Sequence, residues 1–246
     1  MVLMVEVWYL GHSGFAVGIE DTLLIFDYYL DSMEGDTRSL AYGVIEPEEI
    51  MNKKVFVFSS HKHSDHFNPI ILSWKEHITT IRYFLSADIP KKHHHPWVHL
   101  VKPYETYDED NLLIKTFKST DAGVAFLIRL KGVTLYHAGD LNWWHWNEES
   151  KAWNNNMAAR FKHEVDLIKA YPLDIAFLTT DPTQEEAALW GAKYFLSEVQ
   201  VRAAFPMHFG EDLSIMARID AEKAFSPSLC AISPIRHRGQ RFLVEI

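Results

Sequence analysis

The sequence predicts an α/β fold, and three observations favour that class. Short runs such as residues 23–26 are continuously apolar, as in strands buried on both faces of a sheet. Longer segments with apolar residues at helical spacing alternate with these runs. The 246 residues contain no linker or low-complexity boundary, so we predict a single domain over residues 1–246.

The first part of the chain is predicted to form strands separated by one surface excursion. Two strand-like runs flank the stretch Gly11-His12-Ser13-Gly14, and the run at residues 23–26 ends in Asp27. Residues 31–52 are polar and acidic. They are expected to cross the surface before a short helix that begins at Pro47.

The rest of the chain predicts helices and strands in alternation. The predicted segments are a helix at 70–76, a strand at 81–86, a loop at 88–99, two strands within 105–117, strands at 132–136 and 173–178, helices at 151–170 and 184–196, and a terminal strand within 236–246. In the helix at 151–170, Met157, Phe161, Val165 and Ile168 recur at helical spacing and are expected to face the core.

A cluster of metal-ligand side chains follows the apolar run at residues 56–58. His61 and His63 are two positions apart, so on extended backbone they face one point, and Asp65 continues that row. His66 points elsewhere unless the chain turns. Asn68-Pro69 downstream predicts such a turn, as an N-cap and a first helical residue. Imidazole nitrogen and carboxylate oxygen are ligands of zinc and similar divalent metals.

The alternative for this cluster is a solvated, histidine-rich loop. A second histidine tract, Lys91-Lys92-His93-His94-His95, lies among lysine and proline without a carboxylate, and we interpret it as an exposed loop. The first tract follows a buried strand and contains an aspartate. That context favours a metal site.

The motif His61-Lys62-His63-Ser64-Asp65-His66 resembles the His-x-His-x-Asp-His motif of the metallo-β-lactamase fold superfamily of metal-dependent hydrolases. The Gly-His-Ser stretch, Tyr136-His137-Ala138-Gly139-Asp140 and Pro206-Met207-His208-Phe209-Gly210 resemble further segments of that family in the same order. The resemblance spans nearly the whole chain. It implies a four-layer αββα sandwich with the site at one edge of the sheets.

The resemblance also implies the roles of individual residues. The implied metal ligands are His61, His63, Asp65, His66, Asp140 and His208, with Asp140 bridging two ions. Asp27 is implied to support the ligands without binding metal, whereas a turn residue at a strand end is the alternative. His12 either approaches the metal or caps the first hairpin.

One position departs from the family pattern. Where family members usually carry a third metal-binding histidine, this chain has Ser119 and Thr120, with Asp121 beside them. The first metal position would then have His61, His63 and Asp140. Its remaining place falls to water, to Asp121 or to a hydroxyl group, and a neutral hydroxyl is a poorer ligand than imidazole.

The implied chemistry is hydrolysis with one or two divalent metal ions, zinc first and manganese or iron as alternatives. Coordination lowers the pKa of water to about 7, so a metal-held hydroxide could attack a carbonyl or phosphorus centre. We predict catalytic roles for Asp65, Asp121 and His145 in proton transfer. His145 lies in the tryptophan-rich segment at residues 141–150, which either walls the active site or packs against a helix.

Three functions compete at this point. The first is a hydrolase of a small polar ester or lactone, with a phosphorylated substrate as one option, nearest to the L-ascorbate-6-phosphate lactonase-like branch. The second is a phosphodiesterase or nuclease. The third is a non-catalytic protein with a degenerate metal site that binds a metal or a metabolite.

The composition of the chain limits the kinds of partner that we expect it to bind. The formal net charge of −9 disfavours nucleic acid, because neutralising phosphates requires clustered lysine and arginine. A single cysteine, Cys230, fits a reducing compartment. No apolar run reaches the roughly 18 residues that a membrane helix needs. We therefore expect a cytoplasmic protein with a small-molecule substrate, no membrane or nucleic-acid partner, and homo-oligomerisation as an option.

Overall fold

The computed structural model describes residues 2–32, 37–222, 231–232 and 234–246. The chain divides into two compact units, the first of Met1–Lys102 with Ile235–Ile246 and the second of Pro103–Pro234. Each unit contains one seven-stranded sheet. Cys230 lies outside the described residues. The prediction of one domain over residues 1–246 stays a prediction.

The first unit is built on a mixed sheet whose spatial order is β14-β1-β2-β3-β4-β5-β6. Its strands are β1 (Met4–Gly11), β2 (Gly14–Ile19), β3 (Thr22–Phe26), β4 (Lys54–Ser59), β5 (Arg82–Ser86), β6 (Val98–Val101) and β14 (Arg241–Glu245). The pairs from β14 to β3 are antiparallel, and those from β3 to β6 are parallel. Neighbouring parallel strands end at the same edge of a sheet. The residues after β3 and β4 therefore lie side by side.

Short helical segments cover this sheet. Helix α1 (Pro47–Ile50) precedes β4, and the tight helical segment Pro69–Glu76 follows the metal-motif loop. As predicted, Asn68 is the N-cap of that segment, and its side chain accepts a hydrogen bond of 3.0 Å from Ile70 N. Trp74 and Ile71 on its inner side join a core that includes Val57 and Tyr83. The loop between β4 and β5 is thus anchored on the core.

The second unit repeats this arrangement in the order β13-β12-β11-β10-β9-β8-β7. Its strands are β7 (Thr106–Glu109), β8 (Leu112–Lys118), β9 (Val124–Leu130), β10 (Val133–His137), β11 (Leu173–Thr179), β12 (Val201–Met207) and β13 (Ala231–Ile232). Strands β7 to β10 pair antiparallel, and β10 to β13 pair parallel. The helices are α2 (Lys151–Ile168), α3 (Trp190–Glu198) and α4 (Ser214–Ala221).

Helix α2 confirms its predicted inner face. Met157, Phe161, Val165 and Ile168 are all buried, as their helical spacing requires. Ser150 caps the helix, because its hydroxyl oxygen accepts a hydrogen bond of 3.1 Å from Trp153 N. The predicted α/β class is therefore present in both units.

Two predicted segments need correction. The helix predicted at 184–196 is a tight helical segment, Pro182–Ala187, followed by α3, and Glu185 breaks it with a φ of 51°. Apolar spacing does not reveal such a break. The loop predicted at 88–99 ends in β6, which pairs in parallel with β5. This four-residue strand was not predicted because proline- and histidine-rich composition is typical of a loop.

Candidate metal centre

In the first unit, a buried carboxylate after β3 organises the loop after β4. Asp27 Oδ1 accepts a hydrogen bond of 2.7 Å from Ser60 N, and Asp27 Oδ2 accepts one of 2.6 Å from Ser60 Oγ. The Nδ1 atom of His66 lies 2.7 Å from Asp27 Oδ2. These three side chains are fully buried. The loop is thus held by a carboxylate that the adjacent parallel strand supplies.

This contact fixes how His66 presents its ring. Because Nδ1 faces the Asp27 carboxylate, Nδ1 carries the proton and the Nε2 lone pair is available to a metal. His61 is oriented similarly, since its Nδ1 lies 3.0 Å from Ser60 Oγ. Its Nε2 lies 3.0 Å from Nδ1 of His63. Two ring nitrogens thus converge, as expected for His61 and His63 from their spacing.

A turn in the chain brings His66 back towards the preceding residues. The backbone N–H groups of His66 and Phe67 both donate to His63 O at 3.0 Å. The sequence required such a turn, and the structure contains it. As a result, His66 and Asp65 belong to one group with His12, and the candidate ligand atoms of these three residues lie within 4.8 Å of one another.

His12 is the residue that the sequence left open between two roles. Its Nε2 atom lies 3.4 Å from Asp65 Oδ2, and its ring centre lies 5.4 Å from that of His66. Its φ of 51° is unusual for a residue with a side chain and aims the imidazole at this group. The signal in the sequence was the Gly-His-Ser stretch, in which flanking glycines permit such a tight bend.

In the second unit, side chains from three consecutive parallel strands meet. Asp140 follows β10, Asp181 follows β11 and His208 follows β12. Parallel strands end at one sheet edge, so these residues lie together. His208 Nε2 lies 3.3 Å from Asp140 Oδ1, and His208 Nδ1 lies 3.3 Å from Asp181 Oδ2. The imidazole is thus placed between two carboxylates.

Asp181 is a site residue that the sequence reasoning missed. Thr179-Thr180-Asp181-Pro182 indicated only the end of a strand, and Asp181 does cap the next segment by accepting a hydrogen bond of 2.9 Å from Thr183 N. Burial acts to raise its pKa, but the contacts with His208 and Thr183 outweigh burial and leave the pKa lowered. The carboxylate is therefore ionised beside His208.

Asp65 is also held in its charged form. Its hydrogen-bonding contact with His12 is the main reason that its pKa lies well below the ordinary range, and burial opposes this only in part. An ionised carboxylate is the form that binds a metal.

Ser119 and Thr120 occupy the position of the family's third histidine. Their hydroxyl groups hydrogen-bond to backbone groups. Thr120 Oγ1 accepts a hydrogen bond of 3.0 Å from Asn142 N and lies 2.7 Å from Asn142 O as a donor. Ser119 Oγ accepts one of 3.1 Å from Asp121 N. Thr120 therefore holds the loop that follows Asp140, and Ser119 holds the turn that contains Asp121.

The predicted catalytic residues Asp121 and His145 lie on that turn and that loop, respectively. Asp121 is exposed, and the half-buried ring of His145 lies 4.7 Å from Trp190. The tryptophan-rich segment at residues 141–150 combines the two predicted roles, packing against a helix and lying beside a candidate ligand. Trp143 packs against Phe161 of α2, whereas the ring centre of Trp144 lies 5.4 Å from that of His208.

The residues of both units fit divalent metal ions. The groups contain imidazole nitrogen and carboxylate oxygen, which zinc and related metals prefer. In each unit an imidazole has one nitrogen against a carboxylate and the other towards further ligand atoms, a pattern that orients histidine for metal binding. The identity of the metal does not follow from these side chains.

Comparison with known proteins agrees with this chemistry. No family model matches the chain. A metal-dependent hydrolase from Opitutus terrae is 25% identical over 253 residues, which cover 97% of this chain and 98% of that protein. A metallo hydrolase from the archaeon Ignicoccus hospitalis superimposes with a TM-score of 0.67 at 16% identity and covers 99% of both chains.

A third similarity names the fold. The metallo-β-lactamase fold protein YhfI from Bacillus subtilis superimposes with a TM-score of 0.61 at 14% identity, covering 98% of this chain and 99% of that one. This chain has the metallo-β-lactamase fold. The predicted fold class is thereby confirmed. The similarity to a metal-dependent hydrolase over 97% of the chain agrees with the predicted superfamily and enzyme class.

Among the residues that the structure describes, no helix combines the length and the apolar composition needed to cross a membrane.

Proposed function

We propose that this protein hydrolyses a small polar ester, lactone or phosphorylated compound with the help of one or two divalent ions. The observation that carries the proposal is the pairing of imidazoles with buried carboxylates in both units, namely His66 with Asp27 and His208 with Asp181. Such pairs orient histidine ligands. A solvated histidine-rich loop would not need them.

We further propose that His61, His63, Asp65, His66, Asp140 and His208 are metal ligands, as the resemblance implies, and that His12 is a further ligand in the first unit. The candidate ligand atoms of His12, Asp65 and His66 form one group there. His12 would thereby contribute an imidazole to a chain that lacks one at Ser119–Thr120.

The bound ions would supply positive charge that makes water acidic near neutral pH. The protein's own contribution is to orient the ligands and to move protons. Asp65, ionised and half-exposed, is proposed to accept or return a proton of the attacking water. Asp121 and His145, on loops beside Asp140, are proposed to complete proton transfer.

The substrate class rests on charge and on the resemblance to L-ascorbate-6-phosphate lactonase-like proteins. A formal net charge of −9 favours a small molecule over nucleic acid. Zinc is the proposed metal, with manganese or iron as alternatives, and a cytoplasmic location is proposed from the single cysteine. Homo-oligomerisation remains a proposal of the same kind.

The first experiment measures metal content and hydrolysis in the same preparations. Protein purified without a metal-affinity tag is analysed for bound metal, and His61→Ala and Asp140→Ala are compared with wild type. We expect between one and two ions per wild-type chain and loss of hydrolysis in both variants. The matched controls are His77→Ala, a histidine on the surface paired with Glu48, and Asp108→Ala, an exposed edge-strand carboxylate.

Full activity in either folded ligand variant would refute the ligand assignment. Absence of bound metal, without uptake of zinc or manganese on addition, would instead favour a non-catalytic protein. Cleavage of bis-p-nitrophenyl phosphate without any cleavage of lactones would favour a phosphodiesterase.

A further inference from the structure

A polar cavity lies in the second unit, lined by residues of α2 and of the end of β8. Its volume is about 140 Å³. It is lined mainly by Tyr104, Lys118, Ser119, Arg160, His163 and Glu164. This volume exceeds the roughly 10–15 Å³ that a single water needs, but it is below the roughly 300 Å³ of a typical drug-sized ligand pocket. The cavity therefore suits a small polar group.

Helix α2 supplies three of the seven lining residues, all from one face. Arg160, His163 and Glu164 are three and four positions apart, so their side chains project from the same side of α2. Lys118 is the last residue of β8 and also lines the cavity. Two permanent cations and a titratable imidazole thus share one small cavity.

Glu164, the one carboxylate in the lining, is already bonded to the framework. Its Oε1 accepts a hydrogen bond of 2.5 Å from Tyr104 Oη, and its Oε2 accepts one of 3.2 Å from Lys118 N. The residue is 4% exposed. These contacts place the carboxylate in the wall.

The cations, in contrast, have no carboxylate partner among the described residues. Within the part of the chain that the structure describes, no ion pair joins Lys118 or Arg160 to an acidic side chain. The charge of the lining, two cations against one carboxylate, is therefore positive even with His163 neutral. Arginine offers a planar fork of donors that matches an oxyanion, and lysine adds a compact charge.

We propose that this cavity binds a small oxyanion of the phosphate type, held by Arg160 and Lys118. The ligand is either free inorganic phosphate or the phosphate group of a larger molecule. Ser119 also lines the cavity and adds a hydroxyl. This inference goes beyond the proposed hydrolysis and does not depend on it.

The test titrates inorganic phosphate into the metal-loaded protein and follows the melting temperature and the heat of binding. Wild type should be stabilised, and Arg160→Gln and Lys118→Gln should each weaken phosphate binding by about tenfold or more. Arg160→Lys should lose less. Lys151→Gln, which removes a charge from the same helix outside the cavity, should bind phosphate as wild type does.

Glu164→Gln separates binding from a merely structural role. Removing the like charge should tighten phosphate binding several-fold, whereas damage to the fold would weaken it. His61→Ala tests whether phosphate binds at the metal ligands instead. This variant should retain the phosphate response, because His61 does not line the cavity.

Two results would overturn the proposal, namely no phosphate response in wild type or an unchanged response in both Arg160→Gln and Lys118→Gln. If wild type does bind phosphate at this cavity, the kinetics of hydrolysis identify the source of the oxyanion. A raised KM for a phosphorylated ester with unchanged kcat in Arg160→Gln assigns the cavity to the substrate's phosphate group. Unchanged kinetics together with lost phosphate binding assign it to the free ion.

Discussion

At the scale of single residues, carboxylates behind the histidines determine which ring nitrogen is offered to a metal. Asp27 performs this role for His66 in the first unit, and Asp181 performs it for His208 in the second. The two pairs lie on separate sheets. Each uses the same device, a carboxylate from the neighbouring parallel strand.

The Asp181→Asn variant tests this device in the second unit. Asparagine can still cap the segment that starts at Pro182, so the local fold should persist. The variant loses the charge that holds His208, and we expect metal affinity to fall by about 10- to 100-fold. Competition with a chelator measures the affinity. The control, Asp166→Asn, alters an exposed carboxylate paired with Lys169 and should leave affinity unchanged.

The same variant has a predictable pH dependence of stability. The Asp181 pKa is lower in the folded protein than in the unfolded chain, so its contribution is present above the unfolded value of about 3.9 and is lost as pH falls through the folded value. Asp181→Asn should therefore destabilise most above about pH 4 and converge with wild type in acid. Urea unfolding measured from pH 3 to 7 decides it. An equal loss at every pH would contradict the argument.

The sequence predicted which residues could bind metal better than it predicted which residues contact them. The motif from His61 to His66 indicated metal chemistry because its ligand types and spacing are local properties. Asp181 could not be identified, since its importance comes from the register of β11 against β12, which places residues 27 positions apart in contact.

At the scale of elements, the loop after β10 is held from several sides. Thr120 Oγ1 contacts the backbone of Asp140 and Asn142, while the Asn142 side chain donates to Gln184 Oε1 at 2.8 Å. Gly191, in the first turn of α3, packs directly against Asn142. The loop position is thus set by packing against helical segments.

Replacing Gly191 with alanine should disturb that packing. A Cβ atom at this position would overlap Asn142 Oδ1 and approach Trp143 N to 3.1 Å. We expect a loss of about 1–3 kcal/mol in the free energy of unfolding. We also expect weaker metal binding, because Asp140 lies on the displaced loop. Chemical denaturation and chelator competition provide the two values.

Ser197→Ala is the control for that substitution, since it changes an exposed position on the same helix. If Gly191→Ala were as stable as this control, the loop at Asn142 would be able to move aside without lowering the free energy of unfolding. The helix was predicted as one piece because apolar spacing identifies the buried side of each segment. It does not reveal the backbone break at Glu185, where φ is 51°.

At the scale of the whole molecule, the two sheets share one plan. Each has four strands in antiparallel pairing followed by three added in parallel. The sequence predicted α/β composition from alternation alone, and the resemblance supplied the superfamily. The equivalence of the sheets could not be predicted, because β14 joins the first sheet from residues 241–245 while its other strands lie before residue 102.

Arg238 connects this late segment to the early part of the chain. Its guanidinium donates to the carbonyl oxygens of Leu10, Leu30, Ser32 and Gly43. Arg238→Gln should lower the free energy of unfolding by about 3 kcal/mol, because these carbonyl oxygens lose their hydrogen bonds from a charged donor. Amide hydrogen exchange at Gly43 should also accelerate. Arg236→Gln, an exposed neighbour, is the control, and equal stability of the two variants would argue against this role.

The position of β14 has a consequence for biosynthesis. During translation, residues 1–102 emerge with β1 as an uncovered edge, and the strand that pairs with it is made only after the entire second unit. An uncovered edge can pair with other nascent chains. The ribosome-bound intermediate is therefore the form of this protein most exposed to aggregation, and its hazard lasts as long as synthesis of residues 103–240.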